Sequence, residues 1–179
     1  MTGFPAKALL VKDGKVSGIR TAEKGLGRNG EKQGNFEPSV DIEAKVTVLG
    51  EGTRGFLSRS FFHWQNIRSE NPQIYALGVK EIWEVKSPLD SVVHTMGWPL
   101  PSKLFGGSFM YPMDEKTISI GLVVGLNYAD YSLDPHALFQ LMKTHKLFKK
   151  YLESGERIEW GAKTIPEGGY YSVPERLSS

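Results

Sequence analysis

The chain has 179 residues, of which 40% are hydrophobic and 23% charged, the composition of a globular protein of one domain or two small lobes. Lys and Arg number 22 against 20 Asp and Glu, a net charge of +2, so no basic field favours a nucleic-acid partner and none is expected. The absence of cysteine excludes disulfides, thiol catalysis and thiolate-held metal clusters within these residues. No apolar run reaches the ~18–20 residues that cross a bilayer. The opening Met1-Thr2-Gly3-Phe4-Pro5 has neither the basic nor the apolar region of a signal peptide.

Two short apolar runs at residues 8–11 and 16–20 flank Lys12-Asp13-Gly14-Lys15, and Asp-Gly between such runs signals a hairpin. Residues 22–40 are polar and glycine-rich and read as an exposed excursion. Ile42, Ala44, Val46 and Val48 then alternate, predicting a strand that stops at Gly50-Glu51-Gly52. A helical pattern follows, with Phe56, Leu57, Phe61 and Trp64 on or near one face.

From residue 74 the period is two. Tyr75, Leu77, Val79, Trp83 and Val85 form one set, Ile118, Ile120, Leu122, Val124 and Leu126 another, with candidate strands at 92–97 and 107–111 between them. Four strands with short connections predict a largely antiparallel sheet. Asp134 then fits an N-cap and Pro135 the first helical position. Leu138, Leu141, Met142, His145, Phe148 and Leu152 predict one helix over 135–153 with Gly155 closing it. The tail begins β-like and turns at Ile165-Pro166-Glu167-Gly168-Gly169.

Two glycine stretches carry candidate chemistry. In Gly50-Glu51-Gly52-Thr53-Arg54-Gly55, a strand leads through a glycine turn into a helix whose backbone N–H groups can meet a phosphate. Glu51 is placed to accept from a ribose hydroxyl, and Arg54 to balance a pyrophosphate. The same pattern fits an ordinary strand-to-helix turn. In Gly106-Gly107-Ser108, two glycines between Phe105 and Phe109 let a flat ring lie on bare backbone, although the residues alone favour a β-bulge or tight strand entry. The four histidines, His63, His94, His136 and His145, show no metal-binding spacing. The apolar stretch Trp98-Pro99-Leu100-Pro101 fits either a core or the rim of a greasy channel.

The set Asn35-Phe36-Glu37-Pro38, Gly50-Glu51-Gly52-Thr53-Arg54-Gly55, Leu77-Gly78-Val79-Lys80-Glu81-Ile82-Trp83, His94-Thr95-Met96-Gly97-Trp98-Pro99-Leu100, Gly106-Gly107-Ser108-Phe109-Met110-Tyr111, Gly121-Leu122-Val123-Val124-Gly125-Leu126-Asn127-Tyr128, Gly161-Ala162-Lys163 and Pro166-Glu167-Gly168-Gly169 resembles, in order, the middle of the electron-transfer flavoprotein–ubiquinone oxidoreductases. The resemblance implies an α+β fold: a partial Rossmann-type FAD lobe plus an antiparallel quinone-binding sheet with a packed helix. It implies transfer from reduced electron-transfer flavoprotein through a [4Fe-4S] cluster and FAD to ubiquinone. The intact protein would be membrane-associated, at a bacterial or mitochondrial inner membrane. By the family pattern Gly106 and Gly107 hold the quinone, and Gly50, Glu51, Gly52 and Arg54 lie on the FAD side.

The expected organisation is a partial FAD-binding domain at 1–66, an antiparallel quinone-binding domain at 67–158, and a segment at 159–179 returning to the FAD domain. The family's N-terminal dinucleotide fingerprint, its later glycine-rich flavin motif and its cluster cysteines do not occur here, so the chain is expected to be an internal portion of a longer protein, inactive by itself. A flavin-dependent prenyl-lipid reductase and a non-redox lipid-binding module are the alternatives.

Overall fold

The computed structural model describes residues 3–173. The chain divides into two compact units, Met1–Glu70 and Asn71–Ser179, placing the boundary four residues beyond the expected one.

The first unit opens with strands β1 (Ala6–Lys12) and β2 (Lys15–Thr21), joined by the expected two-residue turn. Asp13 and Gly14 both take positive φ (51° and 73°), the geometry that lets a two-residue turn follow the twist of its strands. The glycine-rich excursion is exposed, as its polarity implies, but is not structureless: β3 (Lys24–Leu26) and β4 (Lys32–Glu37) form a small hairpin. Strand β5 (Asp41–Glu43) completes a three-stranded antiparallel sheet, its Asp41 gripping Arg20 across the ladder at 2.6 and 2.7 Å.

The strand expected through Val46 and Val48 is absent. The Ala44 N–H still reaches the Ser17 carbonyl of β2 at 2.9 Å, but residues 45–51 pair with no strand among the described residues, and Val46 and Val48 are 76% and 87% exposed. Alternating valines favour a pleated ribbon only where a neighbour supplies the ladder hydrogen bonds and a surface to pack on. The Rossmann-type lobe expected here requires parallel pairing, whereas every pairing in the described residues is antiparallel. A short 3-10 turn (Gly52–Arg54) then leads to helix α1 (Phe56–Trp64), of which only Leu57 is fully buried.

The second unit is a five-stranded antiparallel sheet in the order β10-β6-β9-β8-β7. Its strands are β6 (Ile74–Glu84), β7 (Val93–Met96), β8 (Gly106–Pro112), β9 (Thr117–Gly125) and β10 (Glu156–Glu167). The first four are those the alternation predicted. The fifth is a correction: residues 159–167 do not leave the sheet but pair along β6, from Glu159↔Ile82 to Glu167↔Ile74. Pro166 is tolerated there because β10 is an edge strand, where a missing N–H breaks no central ladder. The Pro174 end of the expected return lies outside the described residues.

The single helix expected at 135–153 is two, α2 (Pro135–Lys143) and α3 (Lys146–Leu152). Asp134 caps the first, its Oδ1 accepting from the N–H of His136 at 2.8 Å and of Ala137 at 3.2 Å. At the break His145 turns extended (φ −67°, ψ 140°), and its Nδ1 accepts from the N–H of Leu147, capping the second helix. The break re-aims the apolar side chains: Phe139, Met142, Phe148 and Leu152 are buried, while Leu141 and His145 face outward.

Candidate functional site

Directly opposed residues of a ladder share a face, so the register assigns both faces of the large sheet. One face carries Leu77, Val79, Glu81 and Trp83 of β6, Ile118, Ile120, Leu122 and Val124 of β9, and Ser108 and Met110 of β8. Helices α2 and α3 cover it, and their buried side chains join these residues in one core. Within that core Glu81 is 1% exposed, its oxygens 2.9 and 3.0 Å from Lys143 Nζ, 2.7 Å from Trp83 Nε1 and 3.2 Å from an Arg157 nitrogen. Burial works against its charge, but these hydrogen bonds and the Lys143 ammonium outweigh it and hold the carboxyl below the usual range.

The other face is different in kind. One row across the five strands reads Lys163, Gly78, Val123, Gly107 and Met96, and the next Gly161, Lys80, Gly121, Phe109 and His94. A third holds Glu159, Ile82, Ser119 and Tyr111. No side chain of these rows belongs to the helix-packed core. Where Gly121 lacks a side chain the Phe109 ring lies on its backbone, and Phe109 stacks on Tyr111 with centroids 5.7 Å apart. The Ser119 hydroxyl is buried without a hydrogen-bond partner among the described residues. The result is a face with glycine at 78, 107, 121 and 161, the Phe109 ring over the third, bordered by the aromatic stack, His94 and two lysines.

Gly107 lies in the first of these rows, opposite Val123, whereas Gly106, opposite Val124, is the strand's first residue and turns toward the helix-covered face. The ladder to β7 ends at the Met96↔Gly107 pair, so Gly106 runs beside β9 alone. Gly106 has φ +149°, and a Cβ there would strike the Val123 carbonyl and Leu100; at Gly107 it would strike the Thr95 carbonyl. Sheet packing therefore demands both glycines. The loop before them, residues 97–105, splits in two: Pro99 and Leu100 are buried, whereas Trp98 and Phe105 are at least half exposed, as is Met96 at the end of β7.

In the first unit, Gly50 and Gly52 face open space, with no atom within 4 Å of a Cβ at either position. Glu51 is engaged differently from the expected ribose contact. Its carboxylate folds over Gly55 and accepts from the N–H of Leu57 at 3.1 Å, the N–H of Ser58 at 2.6 Å and the Ser58 hydroxyl at 2.7 Å. Burial opposes its charge, and the Ser58 and Leu57 hydrogen bonds prevail, holding its carboxyl low. The N–H groups that an anion would need are thus taken by an anion the chain supplies itself. Arg54 is exposed beside the turn. The four sequence-selected residues of this turn are therefore adjacent, but not converged on one point. A pyrophosphate does not fit the start of α1 as it stands, and without cysteine these residues offer no thiolate to a cluster.

The residues that sequence reasoning missed are Phe109 and Tyr111 as a stack, Gly121 beneath it, and His94 beside it. Their signal lay in the out-of-phase positions of the strands, which carry glycine at 78, 107 and 121 where the in-phase set is apolar.

Solved structures share this architecture. A geranylgeranyl bacteriochlorophyll reductase-like protein from Thermoplasma acidophilum aligns over 90% of this chain and 36% of its own, with a TM-score of 0.56 and 18% identity. A flavin-dependent brominase, Bmp2 in a triple-mutant form, aligns over 92% of this chain and 38% of its own, at 0.52 and 14% identity. These define the fold class, α+β of the kind found in flavin-dependent enzymes. Residues 75–165 match the family described as ETF-QO, ubiquinone-binding, and the chain belongs to that family. It is 43% identical over 179 residues to the mitochondrial electron transfer flavoprotein-ubiquinone oxidoreductase of Arabidopsis thaliana. Identity is 39% over 181 residues to the Pseudomonas aeruginosa enzyme and 38% over 176 to that of Homo sapiens. These alignments take in 95–98% of this chain but only 28–33% of the relatives' length.

Proposed function

We propose that this chain is the quinone-holding portion of an oxidoreductase that passes electrons from reduced electron-transfer flavoprotein to ubiquinone. The observation that carries the reading is the glycine-rich, aromatic-bordered sheet face that includes Gly107, with Gly106 before it, lying within the residues that match the ubiquinone-binding family. A quinone ring is flat and apolar with two carbonyl acceptors, so it needs a surface without side chains and a few N–H donors at its edge. In this reading Gly106 and Gly107 present backbone to the ring and its carbonyl, while Phe109 and Tyr111 wall it. The half-exposed Trp98 and Phe105 border the path of an isoprenoid tail towards a membrane surface.

FAD and a [4Fe-4S] cluster supply the redox chemistry in the longer protein, and the residues here route no electron through either. We place the open backbone of Gly50 and Gly52, with Arg54, on the FAD side of that protein, with Glu51 acting through the helix it caps. The prenyl-lipid reductase alternative rests on fold likeness at 18% identity, against 38–43% for the quinone oxidoreductases.

Equilibrium binding tests the reading. A short-tailed ubiquinone is expected to saturate the chain, quenching the tryptophan fluorescence, while FAD washes out on desalting because Glu51 occupies the N–H groups at the start of α1 that a pyrophosphate would need. Yellow protein with stoichiometric FAD and no quinone response would overturn it.

A further inference from the structure

Ubiquinone carries two carbonyls on opposite edges of one ring, and backbone at Gly106 and Gly107 serves only one of them. A second carbonyl taken out of water with no donor forfeits a hydrogen bond and lowers affinity. The three rows of the open face hold five side chains able to donate: Lys163, Lys80, His94, Tyr111 and Ser119.

The register separates these five. Met96↔Gly107 and His94↔Phe109 make one cell of the β7–β8 ladder. A ring lying on Gly107 is flanked there by Met96 and Phe109, and the far corner is His94. That diagonal spans about 7–8 Å between backbone positions, so an imidazole on it reaches the opposite edge of a single ring. The other donors start farther off. Lys80 and Lys163 stand two and three strands from β8, about 10 and 14 Å across the sheet. Tyr111 lies four residues along β8 from Gly107, about 13 Å away, and its ring is stacked on Phe109. Ser119 opposes Tyr111, equally far along, and is fully buried.

His94 is also uncommitted within the chain. His145 accepts from the N–H of Leu147 and packs against Trp98, and His136 meets Gln140. The His94 ring has no hydrogen-bond or ion-pair partner among the described residues. An imidazole keeps at least one N–H to donate in each of its protonation states.

We propose that His94 donates a hydrogen bond to the second carbonyl of the bound quinone, so that the site selects rings with an acceptor on both edges. This role rests on the quinone site proposed above, with the first carbonyl held at Gly106 and Gly107.

Infrared difference spectroscopy of the full chain tests it, using a short-tailed ubiquinone isotope-labelled at one carbonyl or the other. A hydrogen bond lowers a carbonyl stretch, so both bands of the bound wild type are expected below those of the free quinone. His94→Leu returns one band to its free position, leaves the other lowered and weakens binding by up to about tenfold. His94→Gln, which keeps an N–H donor, retains both lowered bands. A merely structural role for His94 would move both bands or neither. Melting curves show which variants fold, and His94→Val, suited to a strand, serves in place of His94→Leu if that variant does not. Two lowered bands in the folded apolar variant overturn the role of His94 and leave the quinone site standing. One unshifted band in the wild type does the same. A wild type that binds no quinone overturns both.

Discussion

The Lys143 ammonium lies 2.9 and 3.0 Å from the two oxygens of Glu81, joining helix α2 to the central part of strand β6. Both side chains are largely buried, 14% and 2% exposed, and Lys143 also lies over the rings of Trp83 and Phe139. This pair fixes the helix layer to one face of the sheet and leaves the other face to a ligand. Removing one partner strands the other's charge in the core. Lys143→Met is expected to destabilise the second unit by about 3 kcal/mol, at the lower end for a broken buried pair because Arg157 and Trp83 still serve Glu81. Urea titration followed by circular dichroism measures it.

Acid should act on the same group. The folded-state pKa of Glu81 lies below its unfolded value. Its contribution is therefore complete above about pH 4.3, the unfolded carboxyl value, and is lost as pH falls through the folded one. The stability gap between wild type and Lys143→Met should narrow as the pH is lowered below about 4. A gap that stayed constant down to the acid transition would assign the stabilisation to packing of the lysine stem.

The Phe109 ring occupies the space where Gly121 has no side chain. Gly121→Ala should push the ring off the sheet, costing about 1–3 kcal/mol by overpacking and weakening quinone binding with it. Phe109→Leu in the same chain should recover most of the stability but not the binding, because the aromatic wall is gone. Thermal melts and fluorescence titration read the two effects separately.

Ser119 buries a hydroxyl that nothing among the described residues satisfies. Ser119→Ala removes that desolvation cost and is expected to leave stability unchanged or raise it by up to about 1 kcal/mol. A loss above this range would reveal a hydrogen bond made by Ser119 on the open face.

At the start of the helix layer, Asp134→Ala leaves two N–H groups of α2 without their acceptor. The expected loss is about 1 kcal/mol, with Asp134→Asn retaining most of it.

What the sequence disclosed were features decided locally. Asp13-Gly14 declared its hairpin because two adjacent residues can take positive φ there, and Asp134-Pro135 declared a helix start because both preferences are set within one turn. The four strands at 74–125 were visible because half of each faces a core. What failed depended on partners distant in sequence. Val46 and Val48 alternate like a strand, but the described residues bring no neighbour to pair with them. Residues 159–167 look polar because an edge strand with an exposed face has little need of apolar side chains. The break at His145 was hidden because the apolar spacing runs on across it while the chain turns. At the candidate site, Gly106 and Gly107 were legible as glycines between aromatics. That Gly121 lies two strands from His94, with the Phe109 ring between them, follows only from the register. Glu51, read as a ligand for ribose, caps its own helix because Gly55 leaves room for its carboxylate to fold back.

The central claim is that quinone lies on the open sheet face at Gly107, beside Gly106. Titration of the isotopically labelled chain with a short-tailed ubiquinone, following backbone amide signals, tests it most directly. The account predicts saturable shifts at Gly106 and Gly107 together with Gly121, Phe109 and His94, while Phe139, Met142 and Phe148 in the helix layer stay still. Shifts confined to the helix-covered face, or none that saturate, would contradict it.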